Sequence, residues 1–327
     1  MGHLLHITQN AAIFQHILIV TSNFHAVNRT RMTLPMKKTA YTILANPISG
    51  RTGIAAKQVL LQKAAAILNA RIHGLDTGSP EEFRQCAREL APHCDVLVVA
   101  GGDGTFSSVI NAIDTAETTL AFLPLGTGNA LRHAFGYRGD ISDTAMQVKK
   151  GGLHHCDLIG CAQGKKAFMI SIGIEAAILD QYRKQFLRSG QNGFLPYLKA
   201  ALVSIFRKYN PVTTRIGIDG RTFPMDRLLS IMVMKQPFYG YGMKVVPQAK
   251  FDDRILHVLC SRFSWPGMIL AGATAFTVGN RVGRYLPCRT VSVNLNIPRY
   301  LQMDGDVAWK ADHFDFSILP GILRIRY

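Results

Sequence analysis

Val96-Leu97-Val98-Val99-Ala100-Gly101-Gly102-Asp103-Gly104-Thr105-Phe106 is the stretch around which the chain is organised. The run Val96–Ala100 is apolar, rich in β-branched residues and closed by glycine, which predicts a buried strand of a parallel sheet. Gly101, Gly102 and Gly104 allow a tight turn whose backbone N–H groups converge on an anion. Asp103 puts a carboxylate into that turn, where it repels a phosphate unless a cation stands between them. Thr105 is placed to cap the helix that follows through Phe106, Val109 and Ile110. Strand, acid-bearing turn and helix N-terminus together suit a metal-bound polyphosphate. Alone, the turn reads equally well as a plain strand-to-helix connection.

Two flanking strand ends tip that balance. Tyr41–Ala45 runs into the loop Asn46-Pro47-Ile48-Ser49-Gly50-Arg51. Leu120–Leu123 delivers Pro124-Leu125-Gly126-Thr127-Gly128-Asn129, a second glycine turn before a helix over Ala130–Phe135. Between them, apolar spacing predicts a helix over Ile54–Asn69 and a strand over Arg71–Leu75. Ser79-Pro80-Glu81-Glu82 is a capping box that opens a helix reaching about Leu90. Alternating strands and helices predict a doubly wound parallel sheet, which binds ligands at the carboxyl ends of its strands.

After Gly151 the pattern changes. Short runs at Cys156–Gly160, Ala167–Ile172, Arg215–Ile218, Leu228–Met234, Ile255–Ser261 and Val291–Leu295 predict a mainly antiparallel second domain. A helical insertion interrupts it between Ile178 and Tyr209. No acid occurs from Gln181 to Ile218, whereas Arg183, Lys184, Arg188, Lys199, Arg207, Lys208 and Arg215 are basic. Phe186, Leu187, Phe194, Leu195, Leu198, Leu202, Ile205 and Phe206 are interleaved with them. Such a stretch reads as a membrane-surface helix or as a core-facing helix with a basic outer face.

A chain of 327 residues with 48% hydrophobic and 18% charged residues is globular and long enough for two cores. Its net charge of +16 calls for an anionic partner: nucleic acid, an anionic membrane surface or phosphorylated substrates. No aromatic-basic reading module is visible, so nucleic acid is not expected. The six cysteines form no C-x-x-C pair and read as reduced, partly buried thiols, pointing to the cytoplasm. His154-His155-Cys156-Asp157 is not read as a metal cluster, because neighbouring strand residues face opposite ways. Residues 1–36 read as an extension, loosely ordered or foreign to the native protein, with Met32 and Met36 as alternative starts. The expected organisation is an α/β domain over residues 37–152 and a second domain over 153–300. The segment of about 301–327 is expected to return to the first domain.

Neither the Walker pattern nor G-x-G-x-x-G is present, since Leu131 stands where the third glycine belongs. Phosphoryl transfer without a P-loop lysine needs donors around the phosphates, a divalent cation and a base near the acceptor. Asn46, Ser49, Thr105, Thr127 and backbone N–H groups are the candidate donors, with Arg51 to offset γ-phosphate charge. Asp103 is expected to act through Mg²⁺, and Asp306 or Asp304, in Asp304-Gly305-Asp306, to orient the acceptor.

These motifs resemble those of the diacylglycerol kinase catalytic-domain family, which includes sphingosine kinases and bacterial soluble lipid kinases. The likeness runs through Asn46–Gly50, Gly101–Thr105, Leu123–Asn129, Ser171-Ile172-Gly173-Ile174-Glu175-Ala176, Gly240–Asp253 and Asp304–Asp306. It implies an α/β nucleotide-binding domain facing a β-sandwich, with ATP in the cleft and a lipid hydroxyl phosphorylated with Mg²⁺. By resemblance, Asn46, Ser49, Gly50, Arg51, Gly101, Gly102, Gly104, Thr105, Gly126, Thr127, Gly128 and Asn129 surround ATP. Asp103 and Asp306 are then catalytic, Asp103 and Asp304 metal ligands, and Glu175 and Arg132 lipid-site candidates. Departures are Ala130 for a usual Asp, Arg132-His133 for Ala-Arg, and Asp306 for the usual Glu. Arg254 and His257 replace Gly and Asp where some bacterial members hold a structural Mg²⁺, which argues against that ion here. The expected activity is ATP-dependent phosphorylation of diacylglycerol, a sphingoid base or another lipid alcohol at an anionic membrane, by a cytoplasmic, peripherally bound protein. Alternatives are a degenerate nucleotide- or lipid-binding sensor and a soluble-substrate kinase of the NAD kinase type. Homo-oligomerisation is left open.

Overall fold

The computed structural model describes residues 39–327 except Arg51, Thr127, 190–193 and 205–209. The N-terminal extension, Arg51, Thr127 and the basic-stretch residues Ile205, Phe206, Arg207 and Lys208 therefore lie outside the described residues. So do the side chains of Leu187, Arg188, Phe194 and Leu202.

The first half alternates as its periodicity predicts: β1 (Tyr41–Ala45), α1 (Ile54–Leu68), β2 (Arg71–His73), α2 (Pro80–Leu90), β3 (Val96–Gly101), α3 (Asp103–Ile110), β4 (Leu120–Pro124), α4 (Ala130–Ala134) and α5 (Ile141–Lys150). Strand β1 pairs in parallel with both β2 and β3, and β3 with β4. The order β4-β3-β1-β2 therefore reverses direction between β1 and β3, the point where doubly wound sheets open a ligand crevice. All six residues of β3 are buried. Helix α1 ends where Asn69 turns left-handed at φ 53°. At the start of α2, Ser79 Oγ accepts the Glu82 N–H at 3.1 Å, but the Glu82 carboxylate reaches Gly78 N instead of Ser79 N. The expected box is thus half formed.

The second half comprises β5 (Leu153–Cys161), β6 (Lys166–Ala167), β7 (Met169–Gly173), α6 (Ile174–Ser189), α7 (Phe194–Val203), β8 (Val212–Ile218), β9 (Arg221–Met234), β10 (Phe238–Tyr239), β11 (Met243–Lys244), β12 (Leu256–Arg262), α8 (Trp265–Ala275), β13 (Arg284–Cys288), β14 (Thr290–Met303) and β15 (Asp306–Arg326). Its strand pairs are antiparallel, built around the long β14–β15 hairpin. Near its end β15 turns parallel to β4, pairing Ile325 with Leu120, and so extends the first sheet. The sequence reading does not anticipate α5, α8, β13 or β15. Helix α8 is apolar almost all round and carries Gly267 and Gly272, so no 3.6-residue period marks it.

One core lies around β1, β3 and β4 with Phe106 and Phe122; another lies inside the sandwich around Ile231, Val258 and Val293. Each large side chain withdrawn from water contributes about 1.5–3 kcal/mol. Phe251, from the loop before β12, enters the first core and stacks on Phe135 at 5.1 Å. All six cysteines are free thiols, and burial pushes Cys156, Cys161, Cys260 and Cys288 up to about 12. Burial thus disfavours the reactive thiolate form of all four.

Candidate active site

Three turns meet at the carboxyl edge of β1, β3 and β4. Asn46 N–H donates to the Ala100 carbonyl at 3.0 Å, tying the first turn to the second. The Gly101 carbonyl accepts Leu125 N–H at 2.8 Å and Gly126 N–H at 3.2 Å, tying the second to the third. Gly126 must be glycine here, because a Cβ would sit 2.6 Å from the Gly102 Cα. Gly50, at φ 71°, presses so closely on the Leu125 carbonyl that a Cβ would overlap it. Close backbone approach, more than turn flexibility, accounts for these two glycines.

Thr105 does not cap α3. Gly102 occupies the N-cap position, and the Thr105 hydroxyl instead meets Asn46 Nδ2 and Ser49 Oγ, each at 2.9 Å. A polar seam of Asn46, Ser49 and Thr105 results. It lines a cleft of about 560 Å³ together with Gly50, Gly102, Gly104, Gly126 and Asp306. Two cations that the sequence reading did not place at the site support this cleft. Lys57, buried on the apolar stripe of α1 with Leu61, Ala64 and Leu68, reaches back to the carbonyls of Asn46 and Pro47. Desolvation lowers its pKa. Its position on that stripe was the available signal. Arg183 of α6, read from sequence as part of a basic stretch either membrane-facing or on the outer face of a core helix, lines the cleft and forms an ion pair with Asp306.

A second pocket, of about 260 Å³, lies across the same turns. Ala130, Leu131, Phe168, Met169, Leu179 and tyrosines 182, 197, 239 and 241 line it, and Asp103 and Asp304 bring its two carboxylates. Asp103 accepts the N–H groups of Ala130 at 2.8 Å and Leu131 at 3.0 Å, which fixes the start of α4. Burial raises its pKa against those hydrogen bonds. Asp304 Oδ1 accepts Met169 N–H at 2.9 Å and Phe168 N–H at 3.1 Å. Burial first, and the Asp103 charge besides, push Asp304 up to about 7 against hydrogen bonds from Ser107, Met169 and Phe168.

This geometry divides the expected site residues between two cavities. Asp103 and Asp304, expected as metal ligands, line the second pocket and accept backbone N–H groups there. Asp306, expected at the acceptor, lines the cleft. Gly128 also belongs to the second pocket, where its carbonyl accepts Tyr241 N–H at 3.0 Å. Asn129, left-handed at φ 40°, donates to the Gly126 carbonyl at 2.5 Å and braces the turn. Its Oδ1 has no partner among the described residues.

Neither lipid-site candidate lines the second pocket. Arg132 donates to the Gly139 carbonyl at 2.7 Å and is held away from it. Glu175, at the start of α6, is buried beside Ser230, and burial pushes it up to about 7 against that hydroxyl.

The diacylglycerol kinase catalytic domain matches residues 40–161, and a YegS C-terminal, NAD kinase β-sandwich-like domain matches residues 168–326. The chain belongs to the diacylglycerol kinase catalytic-domain family. Like that family it is a phosphotransferase with an alcohol acceptor, of the lipid kinase kind. A diacylglycerol kinase of Bacillus subtilis is 25% identical over 274 residues, covering 81% of this chain and 88% of its own. One from Staphylococcus saprophyticus is 27% identical over 233 residues, covering 69% and 75%. A diacylglycerol kinase crystal structure from Bacillus anthracis shares the fold, with a TM-score of 0.70, 19% identity and coverage of 89% and 98%.

Proposed function

We propose that this lipid kinase transfers the γ-phosphate of ATP to the hydroxyl of a membrane lipid, with diacylglycerol the first acceptor to test. The observation that carries this reading is that the turns after β3, β4 and β14 each straddle two cavities. Gly102 and Gly104 line the cleft while Asp103 lines the pocket; Gly126 lines the cleft while Gly128 lines the pocket; Asp306 lines the cleft while Asp304 lines the pocket. A polar, glycine-walled cleft suits the nucleotide. An apolar, tyrosine-lined pocket with carboxylates suits a lipid alcohol.

The glycine cradle and the Asn46–Ser49–Thr105 seam fit a polyphosphate. Asp306 is the only carboxylate among the described residues lining the cleft, and one carboxylate with the phosphates is an ordinary Mg²⁺ environment. Asp306 would hold Mg²⁺ there, and the ion would supply positive charge to the phosphoryl oxygens. Arg183 holds the Asp306 carboxylate in place and adds positive charge. Across the turn, Asp304 takes the proton of the acceptor hydroxyl, with Asp103 raising its basicity and positioning α4. The acceptor enters from an anionic membrane surface in the cytoplasm. The net charge of +16 supports that, as do exposed Phe186, Leu195 and Leu198 on α6 and α7 near Lys184 and Lys199. No helix among the described residues is long and apolar enough to cross a membrane.

The test is incubation with radiolabelled ATP, Mg²⁺ and vesicles containing diacylglycerol, sphingoid base or monoacylglycerol. Labelled lipid that increases with anionic phospholipid is expected. Absence of labelled lipid under conditions where the Bacillus subtilis relative works would overturn the reading.

A further inference from the structure

Lys235 follows β9 directly and is fully buried. Its ammonium has three N–H groups and meets three oxygens: Asp157 Oδ2 at 3.0 Å, Asp253 Oδ1 at 2.7 Å and the Ile255 carbonyl at 2.7 Å. Every donor is satisfied. The oxygens come from β5 and from the loop before β12, segments that are also joined where Asp157 N–H donates to the Phe251 carbonyl at 2.6 Å. Both carboxylates are further braced. Asp157 accepts Arg254 N–H at 2.7 Å and Gly321 N–H at 2.8 Å, and Asp253 Oδ2 lies 2.9 Å from His257 Nε2. His257 Nδ1 lies 2.8 Å from the Tyr285 hydroxyl, and Nε2 also lies 3.3 Å from the Lys250 backbone nitrogen, so the ring is held from both sides. Two carboxylates and a carbonyl around a central cation form the oxygen set of a hard divalent ion.

We infer that Lys235 is the resident cation of this site, standing where a divalent ion would otherwise hold the loop before β12. The residues present do not fit a structural Mg²⁺. Such an ion would have to share all three oxygens with an ammonium already among them, and His257 offers no oxygen. The surrounding backbone is shaped to hold the carboxylates in place: Arg254 is left-handed at φ 59°, a conformation that favours glycine, and its N–H donates to Asp157. The clamp has consequences on both sides. It anchors the loop that sends Phe251 into the α/β core. Its own N–H bonds the Phe168 carbonyl at 2.8 Å, and the Phe168 N–H holds Asp304.

The inference does not depend on which alcohol is phosphorylated, and it is tested without nucleotide or lipid. Wild-type protein stripped with EDTA and dialysed should carry less than a stoichiometric divalent ion by elemental mass spectrometry. Its Tm should change by no more than about 1 °C in millimolar Mg²⁺, Mn²⁺ or Ca²⁺. Lys235→Ala removes the ammonium and leaves the oxygens, so Tm should drop by on the order of 10 °C. Mn²⁺ or Ca²⁺ should then restore several degrees in a saturable way, with about one ion bound per chain. Adding Asp253→Asn should abolish the restoration. Lys235→Gln, which fills the space with a neutral amide, should lose stability without responding to either ion. The inference is overturned if EDTA strips a stoichiometric ion from the wild type with a loss of Tm. It is overturned equally if Lys235→Ala ignores both ions, including the case in which it stays insoluble whether or not Mn²⁺ is present during refolding.

Discussion

Replacing Asp304 by Asn separates the cost of burying this carboxylate from its use. Its pKa of about 7, against an ordinary 3.8, means that the folded protein binds the proton more tightly than the unfolded chain does. Stability contributed by the protonated form is therefore complete below about pH 4 and is lost as pH rises through about 7. At 1.36 kcal/mol per tenfold change in proton affinity, the difference comes to about 4 kcal/mol. Asn keeps an oxygen to accept the Phe168 and Met169 N–H groups but cannot ionise. Wild type should thus lose roughly 10 °C more in Tm than Asp304→Asn between pH 4 and pH 8. Turnover should move the other way. Wild-type kcat should rise with pH to a plateau above about 7, and the variant should fall by about 10²–10⁴-fold with no such rise. The assays are calorimetry across pH and initial rates with saturating ATP and lipid. Parallel Tm–pH curves for the two proteins, or a variant retaining wild-type turnover, would refute both the desolvation argument and the role of Asp304 as base.

Two further substitutions test the division of the site into two cavities. Asp306→Asn removes the cleft's carboxylate and should raise KM for Mg-ATP about tenfold or more, leaving KM for lipid unchanged; initial rates with each substrate varied decide it, and a change confined to lipid KM would return Asp306 to the acceptor side. Gly126→Ala forces a Cβ onto the Gly102 backbone and should cost about 1–3 kcal/mol in denaturant titrations while weakening nucleotide binding. Gly53→Ala, at φ −64° with open space around its Cβ, should do neither and serves as the control.

Sequence legibility ended at the direction in which side chains point. The strand ends at Asn46, Gly101 and Gly126 could be read because a buried parallel strand has a recognisable composition and a tight turn demands glycine. Which cavity each turn residue faces is another matter. On a strand, Asp304 and Asp306 would share a face. Here Asp304 at φ 44° and Gly305 at φ 93° form a left-handed two-residue turn between β14 and β15, and the two carboxylates part. Asp103 takes its role from N–H groups 27 and 28 residues downstream, which no local pattern encodes. The working cations were silent for the same reason. Lys57 is held by backbone carbonyls, Arg183 by an acid 123 residues away and Lys235 in part by one 18 residues on. A charge count registers each only as one more unit of +16. Net charge predicted an anionic partner, yet these three cations serve the protein's own loops and carboxylates. The residues left to meet an anionic surface are therefore fewer than the formula charge implies, and α6 and α7 are where two of them, Lys184 and Lys199, stand beside exposed apolar side chains. Phe186, Leu195 and Leu198, with Lys184 and Lys199, are the places where the membrane reading stands or falls.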